Sequence, residues 1–247
     1  MSDLWNGLGW LTTAANWWGQ SGILRSLFEH LWYSAFATGL AVCVGLPIGL
    51  AIGHSGRGRF AAAASANALR AVPTVGIVTL LFLARPGALY PVLIALTVLA
   101  VPSIVLGTAA GIETVEPEVR DAARGIGLSP MQVLRSVEIP NALPLIFAGV
   151  RSAANQVLAT ATVAGFGFGL GGLGRFIYSG YQTQRLNVVY GATVLVIAVV
   201  LLVEAGLATL QRVVVSPGVR AQRRRRVLPV DAASTSTLPT APLQGVT

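Results

Sequence analysis

LWYSAFATGLAVCVGLPIGLAIG, residues Leu31 to Gly53, holds no charged side chain. Wound as an α-helix, a run of this length reaches across the roughly 30 Å hydrocarbon core of a bilayer. That reading sets the fold class: an all-α, polytopic membrane protein. Gly45, Gly49 and Gly53 recur four apart and make a face on which another helix can approach closely. Pro47 lies inside the run and predicts a kink, which buried membrane helices tolerate.

Four more spans are expected downstream. The second runs from about Ala62 to Ala84, with Arg70 and Pro73 near its start. The third is about Ala88 to Ile112, with Pro91 in its first turn and Pro102 inside. The fourth reaches from about Asn141 to Phe166, and the fifth from about Val188 to Leu210. Overall composition agrees: 54% of the 247 residues are hydrophobic and only 11% charged, where a soluble domain carries about a quarter.

The division that follows has three parts. Residues 1–30 carry Trp5, Trp10, Trp17 and Trp18 without a basic leader, so they are expected as an external, interfacial segment. Residues 31–215 form the transmembrane region, with a polar loop over 113–140. Residues 216–247 are a basic tail whose Ala, Pro, Ser and Thr content predicts disorder. Arg57, Arg59, Arg70, Arg120, Arg124, Arg135 and the tail arginines collect on one side, against Arg25, Arg85, Arg175 and Arg185 on the other. Basic loops stay cytoplasmic. The N-terminus is therefore expected outside, with the polar loop and the tail inside.

Several chemistries are set aside. All 17 cationic residues are Arg. Without a Lys there is no Walker A loop, so ATP hydrolysis must come from a partner. The arginines lie between apolar runs or in the tail, which argues for topology rather than nucleic-acid binding. His30 and His54 sit at span boundaries, and Cys43 is the single cysteine, so no metal site is expected. No grouping of Ser, His and Asp has supporting context, and no enzyme activity or bound cofactor is expected of this chain.

The polar loop is the informative segment. Pro117 suits the first turn of a short helix, with Glu116, Glu118 and Asp121 near its positive end. Ala122, Ala123 and Ile126 leave a small apolar face. Gly127 is placed to end that helix in a left-handed turn. Ser129 and Gln132 have the spacing of a capping box that starts a second helix. Met131, Leu134 and Val137 are then free to pack, and Pro140 marks the next boundary.

Asp121-Ala122-Ala123, then Gly127, then Val137-x-Ile139-Pro140 resembles the EAA motif of permeases in ATP-binding-cassette importers. Each spacing matches; Asp replaces Glu, Val replaces Ile and Ile replaces Leu. The resemblance implies that Asp121, Ala122, Ala123, Gly127, Val137, Ile139 and Pro140 form the loop that docks on a separate ATPase subunit. It also implies two ATPase subunits, a second permease subunit and an external substrate-binding protein. From Val137 to Gly180 the chain is similar to the osmoprotectant subfamily, which imports glycine betaine, carnitine, choline or proline betaine. The run Ala159-Thr160-Ala161-Thr162 and the glycines Gly171, Gly172 and Gly174 carry much of that likeness. Methionine-type permeases share the motif and are the nearest rival. A secondary transporter working alone is less well supported, because no internal repeat is visible.

Two further sets are candidate functional residues. Arg151 falls roughly 16 Å past Pro140 along the fourth span, deep enough to be costly unless it faces a pathway or a partner. Asn155 and Gln156 extend it, and the three are expected to line or gate the pathway. Glu204 is expected as a snorkelling or pairing residue near the inner end of the fifth span. Gly169, Gly171 and Gly174, with Gly172 beside them, have the G-x-G-x-x-G spacing of a dinucleotide fingerprint, but the strand and acidic residue it needs are missing. These glycines are expected to shape the outer mouth instead.

Overall fold

The computed structural model describes residues 2–71, 73–168 and 171–215. Among them every regular element is helical. Helix α1 (Ser2–Thr12) is followed by the long α2 (Ile23–Ser55). Then come α3 (Arg59–Ala71), α4 (Thr74–Ala84) and α5 (Tyr90–Glu113). The polar loop holds α6 (Pro117–Gly125) and α7 (Pro130–Val133), the latter passing through a π turn (Leu134–Glu138) into α8 (Ile139–Phe168). The chain continues as α9 (Gly174–Gln182) and α10 (Leu186–Val214).

Four stretches are long and apolar enough to cross a membrane: Ile23–Ser55, Tyr90–Glu113, Pro130–Gly165 and Leu186–Val214. Side chains such as Phe28, Leu40, Ile197 and Leu202 stay exposed along them, as lipid-facing positions do. The expected second span is not one helix. Pro73 stands at the start of α4, where its ring blocks the preceding turn, so α3 and α4 are separate helices. The first span begins eight residues before Leu31, which carries Glu29 and His30 inside α2.

The glycine face of α2 does what its spacing predicts. A Cβ on Gly45, Gly49 or Gly53 would stand 3.0, 2.6 or 2.7 Å from the Cβ of Ile104, Thr108 or Ile112. Contacts that advance together along both chains make α2 and α5 parallel neighbours. The core between α2, α4, α5 and α8 is built from small and branched residues, among them Ala41, Val78, Leu96, Ile104, Ala153 and Val157.

The tryptophan-rich start is only partly interfacial. Trp5 and Trp18 are exposed, but Trp10 is buried against α10 and meets the Phe176 ring edge to face at 5.3 Å. Residues 216–247, Val72 and Gly169 lie outside the described residues.

Candidate functional site

The ends of α2 and α5 and the start of α8 meet the polar loop at one end of the bundle, and the local signals there fold as their chemistry dictates. Pro117 occupies the first turn of α6 and Glu118 sits near its positive end. Gly127 takes φ +89°, and the Leu128 N–H returns to the Ala123 carbonyl at 3.2 Å. A Cβ on Gly127 would meet nothing within 4 Å, so only the backbone angle demands glycine there. The capping box forms: Gln132 N donates to Ser129 Oγ at 3.4 Å, and Ser129 N donates to Gln132 Oε1 at 2.8 Å.

The two faces of the loop sort differently from the expected pattern. Ala123 turns inward, while Ala122 and Asp121 point out, Asp121 standing 3.6 Å from Arg124. Ile126 is 80% exposed and Met131 54% exposed, whereas Val133, not Met131, is buried. Val137, Ile139 and Pro140 are half-buried. Pro140 does not mark a boundary. In an α-helix its ring would collide with the Ser136 carbonyl, which here belongs to the wider π turn. Asn141 Nδ2 donates to the Val137 carbonyl at 2.7 Å across the same turn. The second loop helix is therefore continuous with the helix of the fourth span, and the apolar helical stretch long enough to cross a membrane runs over Pro130–Gly165.

The π turn points Glu138 into the protein, a residue that sequence reasoning missed. Its side chain is 1% exposed. Oε2 lies 2.6 Å from His54 Nδ1, on the last turn of α2. Oε1 lies 3.1 Å from Arg120 Nε of α6, an ion pair by distance whose N–H is not aimed along a hydrogen bond. Arg120 Nη2 in turn donates to the Ile112 carbonyl in the last turn of α5. One buried carboxylate is thus held by an arginine and a histidine from different elements. The sequence did carry a signal: an acid within an apolar V-x-I-P string, and a histidine ending a charge-free span.

A second polar cluster lies within the spans. Arg151 is ion-paired with Glu204 of α10, and its Nη1 donates to Gln211 Oε1 at 2.8 Å. Asn155 Nδ2 donates to Glu204 Oε2 at 2.9 Å, and Gln211 Nε2 to the Pro144 carbonyl at 3.2 Å. Arg151 and Asn155 are therefore brought together, and Glu204 is a pairing residue. Gln156 is not part of this set; it faces α5, where Ser103 Oγ donates to its Oε1 at 3.5 Å.

At the opposite end, the Gly172 N–H donates to Glu29 Oε2 at 3.2 Å, and a Cβ on Gly171 would collide with the same carboxylate. Gly174 begins α9 and is buried. The glycine loop is thus seated on the first turns of α2. A cavity of about 10 Å³, room for one water, lies between this loop, His30, Tyr33 and α5.

Known proteins match this arrangement. The chain is 31% identical to the carnitine transport permease protein OpuCB of Listeria monocytogenes, over 76% of this chain and 86% of that one. It is 30% identical to the osmoprotectant import permease protein OsmW of Salmonella typhimurium, over 81% of this chain and 95% of that one. The fold resembles an inward-facing structure of the MetNI methionine ABC transporter, with a TM-score of 0.66 at 22% identity, covering 78% of this chain and 96% of that one. Residues 45–220 match the binding-protein-dependent transport system inner membrane component family, and the chain belongs to it.

Proposed function

We propose that this chain is the permease subunit of an ATP-binding-cassette importer for an osmoprotectant of the glycine betaine, carnitine or choline type. The observation that carries the reading is the near full-length match to osmoprotectant permeases, combined with a loop whose outward face (Asp121, Ala122, Ile126, Met131) is exposed among the described residues. The likeness to a methionine transporter is one of fold and does not choose the solute.

In this reading the loop end of the bundle faces the cytoplasm and the glycine loop faces outside, following the arginine bias. A separate ATPase subunit grips the loop. A second permease subunit completes the pathway, because one bundle of this size provides half of its wall. An external binding protein delivers the solute at the Gly171–Gly174 end and supplies the aromatic contacts that a quaternary ammonium needs. ATP binding draws the two loops together and tilts the spans; no bond in the solute is made or broken.

The test uses the whole complex in proteoliposomes. ATP-driven uptake of labelled glycine betaine, carnitine and choline is expected, with methionine failing to compete. Gly127→Val places a β-branched residue at a positive φ. That variant is expected to insert normally and to lose at least tenfold in uptake. Wild-type uptake by Gly127→Val would remove the docking role of this turn.

A further inference from the structure

We propose that Glu138 is a positioning residue that joins the docking loop to the membrane spans, so that movement of α6 is transmitted to α2, α5 and α8 together. The proposal rests on the docking reading above and adds the route by which the stroke leaves the loop.

Helix α6 packs mainly against α7 and the π turn. Its reach into the bundle runs through Arg120, which stands 3.1 Å from Glu138 Oε1 and donates to the Ile112 carbonyl of α5. The other carboxylate oxygen is held by His54 at the end of α2, at 2.6 Å. Glu138 itself belongs to the π turn that leads without interruption into α8. Three elements therefore meet at one side chain that is 1% exposed, and α5 is tied in through Arg120. A carboxylate buried this deeply cannot release Arg120 or His54 without leaving its own charge short of compensation away from water. The loop cannot slide past the span ends; it must carry them.

A π turn is a weak point in a helix, because its hydrogen bonds are longer in register and its backbone is wider. Left alone, the joint between α7 and α8 would absorb a push as a bend. The Glu138 contacts brace that joint from two sides. The clamp explains why an acid occupies the variable position of the V-x-I-P string, where an apolar residue would pack at lower desolvation cost.

The experiment reads transport and hydrolysis separately in the reconstituted complex of permease, ATPase and binding protein. Glu138→Gln keeps the shape and removes the charge. It is expected to co-purify with the ATPase at the wild-type ratio and to hydrolyse ATP within twofold of wild type. Solute moved per ATP is expected to fall at least tenfold. Arg120→Gln should reproduce that loss, Arg120→Lys should recover most of it, and the double variant Arg120→Gln/Glu138→Gln should be no worse than either single change.

Solute per ATP within twofold of wild type in Arg120→Gln and Glu138→Gln would overturn the proposal. So would losses of uptake and hydrolysis that fall together in proportion to assembled complex, which is what a merely structural role gives. If Glu138→Gln does not assemble, the contrast between Arg120→Gln and Arg120→Lys decides by the same criterion. A crosslink from Met131→Cys, in a Cys43→Ser background, separates the two readings. Crosslinking to the ATPase with unchanged coupling sinks the clamp alone; absence of that crosslink in the otherwise native complex sinks the docking reading.

Discussion

The chain contains two carboxylate clusters that look alike in composition and differ in setting. Glu138 is sealed at the loop end of the bundle, its carboxylate covered by a His54 that is 25% exposed and an Arg120 that is 20% exposed. Glu204, with Arg151, Asn155 and Gln211, bridges α8 and α10 with its side chain 30% exposed, and Arg151 28% exposed. A sealed pair has no alternative partner, so its geometry is enforced and it serves as a rigid fastening. A half-open pair can trade its partner for water, for a neighbouring subunit or for a passing polar solute. The same chemistry thus yields a fixed joint in one place and an adaptable one in the other.

The comparison is broken most directly by stability. Glu138→Ala leaves Arg120 and His54 facing a vacated pocket and is expected to cost about 3–5 kcal/mol. Thermal unfolding of the detergent-solubilised complex checks this; a melting temperature equal to wild type would mean the cluster is not sealed. Arg151→Ala strands Glu204 where solvent can reach it, so a smaller cost of about 1–3 kcal/mol is expected. The same variant carries the proposed pathway role: uptake should fall while assembly persists, and unchanged uptake would confine Arg151 to fastening α8 on α10. Ser129→Ala removes only the capping box and is expected to cost about 1 kcal/mol, with uptake nearly intact. An effect as large as that of Glu138→Ala would show that loop stiffness, not the buried carboxylate, dominates this end.

What the sequence made legible was local. Gly127, Pro117 and the Ser129–Gln132 box act through neighbours a few residues away, and the structure returns all three as expected. The glycine ladder of α2 was legible for the same reason, since a period of four names a face without naming the partner. Glu138 was not legible, because His54 lies 84 residues away and only the fold brings them together. The break before α4 was masked by hydropathy: an apolar window reads across Pro73 although the backbone cannot. The opposite error occurred at Pro140, where a proline was expected to stop a helix and a π turn lets it continue. Arg151, Asn155 and Gln156 looked like one polar set in sequence; a helix turns about 100° per residue, which is enough to send Gln156 to α5 and Arg151 to α10.

The π turn has a consequence for how this family member can vary. It is an α-helix carrying one surplus residue, so winding Leu134–Glu138 as ordinary α-helix with no position removed would rotate everything upstream by about 100° about the axis of α8. The loop end of the bundle would then turn a different azimuth outward while every side chain kept its identity. The winding between Gly127 and Pro140 is thus an angular setting as much as a length.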